Sequence, residues 1–372
     1  MKILYVTTIA ATMGFFSEHI KLLQSQGHTV ELACRLQDPL PKKILALGCA
    51  VHPLPFSRSP LNPDNLKAYL ALKRLLRKER YDLIHTHTPN ASAYVRLAAR
   101  KLRRAGTKVI YTAHGLHFYK GAPLKNWLLF YPVEWLCAHW TDVLITINQE
   151  DYALAKRNLH AKKVVYVPGV GMDYKKFALE SVECGAVRKS LSIPISACMC
   201  LSVGELNKNK NFSVVMRALA QLHDTNLHYC IAGTGRLSAK LHEEILTLGL
   251  EKQVHLLGYR SDVHLLCGAA DIYCHPSFRE GLPVSLMEAM AAGLACVVSN
   301  IRGNTDLIEE GKGGYLLAPD DAGGFARAIT ALADNAQLRR QMGAYNAKII
   351  ERFDTAHVND AMLKVYQEVL NA

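Results

Sequence analysis

Long apolar runs, low-complexity tracts and repeats of fixed period are all absent from the 372-residue sequence. Without an uncharged stretch of about 18 apolar residues, no helix is expected to span a membrane. Polar residues interrupt the amino-terminal apolar run early, so an export signal is not expected either; they are Gly14, Ser17, Glu18 and His19. The composition predicts a compact globular protein whose surface can still associate with a membrane.

Cysteine pairs with metal-ligand spacing are also absent. The ten cysteines form no CxxC pair, and five lie in apolar runs typical of buried strands: Cys34, Cys200, Cys230, Cys274 and Cys296. We expect reduced thiols in the core, which agrees with a cytosolic location. His85 and His87 alternate on one predicted strand without a third ligand at motif spacing, so no metal site is predicted.

Positive charge is concentrated in the first half of the chain. Residues 1–190 contain 28 Lys and Arg against 13 Asp and Glu, whereas the rest contains 16 against 19. Many of these cations lie at 73–80 and 96–108, where apolar residues recur at helical spacing. The pattern predicts either an anionic partner or plain solvated helix faces. Nucleic acid is disfavoured as the partner because no recognised binding module accompanies the charge.

All three tryptophans lie between residues 124 and 140. Aromatic residues beside a basic surface are typical of membrane interfaces, and core packing is the alternative explanation. We predict that the basic first domain contacts the inner leaflet of a membrane.

The length predicts two domains, because single cores seldom extend beyond about 250 to 300 residues. Short β-branched runs alternate with helical patterns, which predicts parallel sheets with helices on both faces. Predicted strands are 2–8, 28–34, 82–87, 108–114, 142–147 and 163–168, then 197–204, 227–233, 254–258, 271–277, 295–299 and 313–319. Predicted helices include 14–26, 91–104, 209–222, one from about Leu237, and 284–291. The irregular segment from Pro168 to about Pro194 is interpreted as the linker.

Ligands of open α/β sheets bind beyond the carboxyl ends of the strands, so the loops there should carry the chemistry. Three such loops precede a helix and contain a glycine or lysines suited to an anion: Met13-Gly14, Gly204 to Lys210 with Lys208, and Gly281-Leu282-Pro283 before Val284. A tight turn and a solvated turn are the alternatives for the first two.

Two glutamates flank the third of these loops. Glu280 precedes the glycine turn, and Glu288 lies just over one turn inside the predicted helix. Carboxylates accept hydrogen bonds from hydroxyl groups, so the pair suits a ligand with hydroxyls at both ends and phosphate between, such as a nucleotide sugar. Glu288 has apolar neighbours, and a buried unpaired carboxylate is costly, which favours a functional role.

Residues 270–308, beginning ADIYCHPSFREGLPVSLMEAMAAG, resemble the signature of family 4 glycosyltransferases, in which seven residues separate two glutamates. VGELNKNKN resembles the family's phosphate-binding turn, YVPGVGMDYKKF its interdomain segment, and YDLIHTHTP and YTAHGLHF its acceptor-side loops. The likeness covers nearly the whole chain. It is greatest to bacterial enzymes that build capsular, exopolysaccharide or O-antigen units on a polyprenyl carrier.

The resemblance implies the α/β GT-B fold, with two Rossmann-like domains whose parallel sheets face a central cleft. The acceptor-side domain would comprise residues 1–170, completed by helix 356–372, and the nucleotide-sugar domain residues 171–355. It implies a retaining transferase that moves a hexose or N-acetylhexosamine from a UDP-sugar to a polyprenyl-linked saccharide, without a metal or other cofactor. The expected location is the cytoplasmic face of the membrane, with other polysaccharide-assembly enzymes as candidate partners.

Residue roles follow from the same resemblance. Three residues would be catalytic. Glu280 would contact the transferred sugar, and His114 would approach the same sugar from the first domain. Lys210 would contact the diphosphate. Glu288 would bind the ribose, and His87 is either an acceptor-side hydrogen-bonding residue or a core histidine. The other donor-binding positions are Gly14, Gly204, Lys208, Tyr259, Arg260, Gly281, Leu282, Pro283 and Val284.

Two departures from the family pattern concern the leaving group. Glu205 stands where the family usually has arginine, with Lys208 as a candidate replacement, and Met13-Gly14 stands in place of a glycine pair. In the front-face mechanism usually proposed for the family, the departing phosphate helps to deprotonate the acceptor hydroxyl, and no protein nucleophile is required. Double displacement through Glu280 is the less favoured alternative.

Two other functions remain open at this point. Glu205 raises the alternative of a non-catalytic protein that binds nucleotide sugars, and an epimerase of similar architecture is the second alternative. Epimeric sugars differ at one hydroxyl, so glucose, galactose and their N-acetyl forms are all candidate donors.

Overall fold

The computed structural model describes residues 1–177 and 181–371, and the chain divides into two compact units. The first unit comprises Met1–Gly171 and the carboxy-terminal segment from Thr355, and the second comprises Met172–Asp354. Within the described ranges, every helix is too short or too polar to cross a bilayer.

The first unit contains a seven-stranded parallel sheet of order β3-β2-β1-β4-β5-β6-β7. Its strands are β1 (Lys2–Ile9), β2 (Thr29–Arg35), β3 (Val51–Pro53), β4 (Leu83–His87), β5 (Lys108–Ala113), β6 (Val143–Thr146) and β7 (Lys163–Tyr166). Its helices are α1 (Ala10–Met13), α2 (Ser17–Ser25), α3 (Lys42–Leu45), α4 (Asp64–Lys78), α5 (Pro89–Ala99), α6 (Leu124–Ala138), α7 (Gln149–Asn158) and, from the carboxy terminus, α15 (Thr355–Leu370).

The second unit contains a six-stranded parallel sheet of order β10-β9-β8-β11-β12-β13. Its strands are β8 (Cys198–Val203), β9 (Leu227–Ala232), β10 (Val254–Gly258), β11 (Ile272–His275), β12 (Ala295–Ser299) and β13 (Gly314–Leu317). Its helices are α8 (Ser181–Ser190), α9 (Phe212–Leu222), α10 (Ser238–Thr247), α11 (Val263–Ala269), α12 (Val284–Ala291), α13 (Ala322–Ala333) and α14 (Ala336–Ile350).

Strand β1 shows how the sequence pattern builds two core layers. Ile3 and Tyr5 pack on one face of the sheet in a cluster with α2 and α15, whereas Leu4 and Val6 pack on the other face with α4 and α5. Alternate side chains of a strand point to opposite faces, and a sheet covered on both sides therefore has a nearly continuous apolar strand. The Tyr366 hydroxyl of α15 lies 2.5 Å from the Tyr5 hydroxyl, which fixes the carboxy-terminal helix to the first unit.

All twelve predicted strands are present, and the five cysteines predicted in buried strands are buried and free. Strand β3 was missed because it is only three residues long and ends at Pro53. Two helix predictions and the linker interpretation were wrong in detail, and residues 178–180 of the predicted linker lie outside the described residues. The first helical turn starts at Ala10, not Gly14; α5 ends at Ala99, followed by a separate 3₁₀ turn at Leu102–Ala105; and α8 lies inside the predicted linker.

A buried ion pair joins α5 to α6. Arg96 Nη1 lies 2.8 Å from Glu134 Oε2, with the two side chains 1% and 7% exposed. The Arg96 guanidinium also lies over the ring of Tyr111, 4.3 Å from its centroid. Because both charges are removed from water, each depends on the other for compensation.

We predict that Glu134→Gln destabilises the first unit strongly, because Arg96 then remains buried without a counter-charge. The free energy of unfolding should fall by about 3 kcal/mol or more. Urea unfolding followed by tryptophan fluorescence reports on this unit, since all three tryptophans lie in it.

The matched control is Glu368→Gln, which removes an ion pair with Lys163 whose side chains are 52% and 56% exposed. Its loss should stay below about 1 kcal/mol. Equal losses of unfolding free energy in the two variants would contradict the conclusion that the buried Arg96–Glu134 pair stabilises the first unit more than an exposed pair does.

Candidate functional site

In the second unit, the loops after β8 and β11 are joined by backbone and amide hydrogen bonds. The backbone N–H of Phe278 donates to Asn209 O at 2.8 Å, and Asn209 Nδ2 donates to Arg279 O at 2.9 Å. Asn211, which has a left-handed φ of 52°, donates from Nδ2 to Pro276 O at 3.1 Å. Two loops distant in sequence therefore form one rigid surface at the carboxyl ends of the strands.

This surface brings Lys210 against Glu280. Lys210 Nζ donates to Glu280 Oε1 at 2.8 Å, and the side chains are only 18% and 13% exposed. A Cβ added at Gly204 would lie 2.9 Å from Lys210 Cε, so the glycine leaves room for the lysine stem. Gly204, a predicted donor-binding residue, therefore provides the space that the Lys210 side chain occupies.

His275, the last residue of β11, lies beneath the same carboxylate. Its Nε2 is 3.2 Å from Glu280 Oε1 and 3.3 Å from Ser277 Oγ, and the residue is 2% exposed. Burial would raise the pKa of Glu280, but the hydrogen bond from His275 and the charge of Lys210 outweigh it and hold the pKa well below its usual range. Glu280 is therefore a fixed carboxylate anion at neutral pH.

The turn after Glu280 leads directly into α12. Leu282 and Pro283 are buried, and Val284 is the first helical residue. Gly303, with a φ of 79°, approaches the turn so closely that a Cβ there would lie 2.5 Å from Gly281 O. Because the first N–H groups of a helix have no partner within it, this amino end can receive an anion beside the ion pair.

Glu288 lies on α12, one turn further along. It is partly exposed, and within the described chain its carboxylate makes no hydrogen bond or ion pair. Burial raises its pKa to about 7. The carboxyl group is therefore close to half ionised at neutral pH and becomes a better acceptor as the pH rises.

Three more predicted donor residues of the second unit, Tyr259, Arg260 and Lys208, lie in loops after strands of the same sheet. Within the described chain, none of them forms a hydrogen bond with the side chain of Lys210 or Glu280. Tyr259 is 79% exposed, and Arg260 makes two hydrogen bonds to Asp262, at 2.7 and 2.6 Å. Lys208 and Glu205 are both exposed on the loop after β8. Arg260 thus already has a carboxylate partner, Asp262, and no sequence motif predicted this pairing.

In the first unit, His87 and His114 form a pair at the ends of β4 and β5. His87 Nδ1 lies 3.1 Å from His114 Nε2, and Phe16 stacks on the His87 ring with centroids 3.8 Å apart. His87 is 1% exposed, which agrees with its interpretation as a core histidine. A side chain so deeply buried does not agree with direct contact to an acceptor. His114 is the partly exposed member of the pair.

Burial also decides the charge of this pair. It lowers the pKa of His114 to about 4 and that of His87 well below its usual value. Both rings are therefore neutral at neutral pH. His114 can donate or accept one hydrogen bond but cannot supply a fixed positive charge.

Gly14 differs from its predicted role. It is buried in a helical turn, and its N–H already bonds to backbone carbonyls of that turn. A Cβ at this position would meet Pro41 Cγ at 3.1 Å, so the glycine serves packing. Because the helical turn begins at Ala10, Gly14 offers no unpaired N–H to a phosphate.

Sequence reasoning missed His275 and Thr88. His275 had only a weak signal, a polar residue ending a buried strand. Thr88 has a φ of 68°, which is rare for a β-branched residue, and its Oγ1 accepts from Thr8 N at 3.1 Å. Such strain clusters at functional sites, but no residue pattern predicts it. Across the described chain, no cluster of three or more His, Cys, Asp or Glu side chains is arranged to hold a metal ion.

Comparison with known proteins covers both units. Residues 15–169 match the family described as glycosyl transferase 4-like domain, and residues 186–349 match glycosyl transferases group 1. The putative glycosyltransferase EpsD of Bacillus subtilis is 35% identical over 376 residues, which span 100% of this chain and 97% of that protein. An Escherichia coli UDP-Gal:alpha-D-GlcNAc-diphosphoundecaprenol alpha-1,3-galactosyltransferase is 28% identical, covering 95% of this chain and 92% of that protein.

Among solved structures, Anabaena Alr3699/HepE in complex with UDP-glucose superimposes with a TM-score of 0.80 at 20% identity. The alignment covers 99% of this chain and 100% of that one. The predicted GT-B fold is confirmed by such neighbours.

We predict that Glu288 makes the second unit less stable as the pH rises. Its pKa is about 7 in the folded protein against 4.5 in the unfolded chain, so between these values the folded state retains a proton that the unfolded state loses. Relative to wild type, Glu288→Gln should therefore gain stability between pH 5 and pH 8. The penalty that it removes is below about 1 kcal/mol at pH 5 and up to about 3 kcal/mol at pH 8.

Urea unfolding followed by circular dichroism at the two pH values measures this gain. Glu243→Gln, an exposed carboxylate of α10, is the control and should show no such trend. A pH-independent difference for Glu288→Gln would mean that this carboxyl group is not desolvated.

Proposed function

The chain belongs to the family 4 glycosyltransferases, and we propose that it is a retaining enzyme that transfers a hexose or N-acetylhexosamine from a UDP-sugar to a polyprenyl-linked saccharide. The observation that carries this proposal is the second-unit site, in which Lys210 and Glu280 meet beside the amino end of α12. The E. coli relative supports it, since its name specifies UDP-Gal as donor and a diphosphoundecaprenol-linked acceptor.

The site suits the three parts of such a donor. The diphosphate would lie between Lys210 and the amides of the turn before Val284, because both supply positive charge. Glu280 would accept hydrogen bonds from sugar hydroxyls, and Glu288 from the ribose diol. Lys210 would then exchange its bond to Glu280 for one to the diphosphate, which frees the carboxylate for the sugar.

Transfer would break the bond between the anomeric carbon and the oxygen of the UDP β-phosphate. Negative charge develops on that oxygen, and Lys210 with the α12 amides would stabilise it. The acceptor hydroxyl attacks the anomeric carbon from the same face and passes its proton to the departing phosphate, so the configuration is retained. The proposal requires no metal ion, because the lysine and the helix amino end supply the positive charge.

The first unit would provide neutral groups for the acceptor side. His114 is neutral and partly exposed, so it can hydrogen-bond a hydroxyl without attracting the diphosphate. A lipid-linked acceptor would place the enzyme at the cytoplasmic face of a membrane, in the synthesis of a surface polysaccharide. In the loop after β8, exposed Lys208 is the candidate to replace the cation that Glu205 does not supply.

We expect Glu280→Gln to lower kcat on the order of 100-fold while the donor KM changes little, because the carboxylate acts on the reacting sugar. Lys210→Ala should weaken UDP binding by about 10-fold to 100-fold through loss of a charge-assisted bond. Steady-state kinetics and titration calorimetry with UDP separate the two effects. Lys240→Ala, an exposed lysine of α10, is the control.

We expect wild-type UDP affinity to fall as the pH drops below 7, because protonation removes the charge of Glu288 and makes it a weaker acceptor. Glu288→Gln should bind UDP about 10-fold more weakly at pH 8 and lack this pH dependence. Unchanged affinity and pH response in that variant would remove Glu288 from the ribose site.

The function itself is tested by screening UDP-sugars for thermal stabilisation, then incubating each hit with lipid-linked saccharides and analysing the anomeric configuration of the product. A retained configuration is the expected result. Binding without turnover on any acceptor would instead favour a non-catalytic nucleotide-sugar-binding protein, and conversion of the donor without acceptor would favour an epimerase.

A further inference from the structure

Helix α6 carries its large apolar side chains on the outside. Six of them are at least 40% exposed, with Leu124 at 74% and Leu128 at 71%; the others are Leu129, Val133, Trp135 and Leu136. The opposite side of the helix is buried and contains Glu134, whose carboxylate pairs with Arg96. A surface helix normally has the reverse arrangement, so the outward side of α6 is an unpartnered apolar face.

Exposed basic residues lie at both ends of this face. Lys125 is the exposed charged residue of α6, and Lys120 is exposed just before the helix. At the other end, the Arg100 guanidinium lies over the ring of Trp140, 5.8 Å from its centroid, and Arg103 Nη1 donates to His139 O at 2.9 Å. These contacts place the basic 3₁₀ turn beside the end of α6.

We propose that this outward face of α6 inserts into the interfacial layer of an anionic bilayer. The inference rests on the proposed function, because an enzyme that acts on a lipid-linked acceptor has to reach the membrane surface. Apolar side chains flanked by lysine and arginine match the acyl boundary and the anionic headgroups of a bilayer. A second copy of the chain would bring the same cations face to face, which like charges oppose.

The test is flotation of purified protein with vesicles of phosphatidylglycerol and phosphatidylcholine. Leu128→Glu with Leu136→Glu should reduce binding on the order of 10-fold or more. The control, Leu61→Glu with Leu70→Glu, adds the same charge at first-unit leucines that are 89% and 50% exposed, and should float like wild type.

A second variant tests the electrostatic part. Replacing Arg100, Lys101 and Arg104 by serine should weaken binding to anionic vesicles and reduce its salt sensitivity, while Lys120 and Lys125 remain. Arg103 is left intact because it makes two hydrogen bonds to Asp142, at 2.8 and 2.7 Å.

Equal flotation of the α6 variant and wild type, or no flotation of wild type, would overturn the proposal. So would a wild-type dimer in light scattering that the α6 variant abolishes, since the face would then be a protein interface. Transfer to a short-chain soluble acceptor should be the same in wild type and all these variants. Absence of transfer with intact flotation would refute the proposed function and leave the membrane surface standing.

A second inference comes from His275, and it rests on the proposed function. Lys210 and His275 both contact Oε1 of Glu280. A carboxylate only accepts hydrogen bonds, so His275 Nε2 carries the proton and donates it. When Lys210 turns to the diphosphate, His275 is the donor that remains on the buried carboxylate. We infer that His275 is a positioning residue that holds Glu280 in place against the sugar during transfer.

The groups that face Glu280 and its histidine are Lys210, Ser277 and the ring of Tyr273, which stacks on His275 with centroids 6.0 Å apart. His275→Phe preserves this packing but removes the donor. It should lower kcat about 10-fold or more, with donor KM nearly unchanged, and shift the acid limb of the kcat profile upward. His275→Gln, whose amide can donate in place of Nε2, should restore both.

Carboxyl ¹³C NMR of the unliganded protein gives a readout that does not depend on transfer, because the pKa of Glu280 should rise in His275→Phe and return in His275→Gln. An unchanged pKa and pH profile in His275→Phe would overturn the inference. Equal loss of activity in the Phe and Gln variants would also overturn it, because the hydrogen-bond donor would then not be the cause. A wild-type enzyme without transfer but with the expected pKa change would refute the proposed function alone.

Discussion

The ion pair between Lys210 and Glu280 is the interaction on which the candidate site depends. It joins the ends of two strands, β8 and β11, and the hydrogen bonds of Asn209 fix the loops on either side. Because both side chains are largely buried, each compensates the charge of the other. In the proposed function, a donor phosphate would attract the lysine and leave the carboxylate in contact with His275. The charged groups are thus already oriented, which is the condition for the electrostatic catalysis that we propose.

The His87–His114 pair of the first unit and the Lys210–Glu280 pair of the second use burial in opposite ways. The first unit buries histidines without counter-charges, which lowers the pKa of His19 and His114 to about 4 and keeps their rings neutral. The second unit buries a carboxylate together with its lysine and keeps both charged. In a glycosyl transfer the charge develops on the departing diphosphate, while the attacking hydroxyl is neutral. The proposed roles, a charged donor side and a neutral acceptor side, match that division.

The apolar face of α6 has its origin inside the first unit. The helix is held from within by the Arg96–Glu134 pair, so its acidic residue points inward and its leucines are left outside. The inner side also packs Trp127, Phe130 and Tyr131 on the core, so α6 is apolar on both sides. The same buried pair therefore stabilises the unit and leaves an outer surface that is uncharged except for lysine.

The sequence by itself determined the alternation of strands and helices in both units, because strand burial on two faces requires runs of β-branched and apolar residues. It also located Glu280 and Lys210, which lie in loops after predicted parallel strands, and Glu288, a carboxylate among apolar neighbours whose burial without a partner would be costly. Only the tertiary structure decided which of these groups touch. It paired Lys210 with Glu280, placed His275 beneath them, tied Arg260 to Asp262 and buried Gly14 and His87. Such contacts join residues up to 70 positions apart, and the packing of whole strands and loops, which no local pattern encodes, sets their distances.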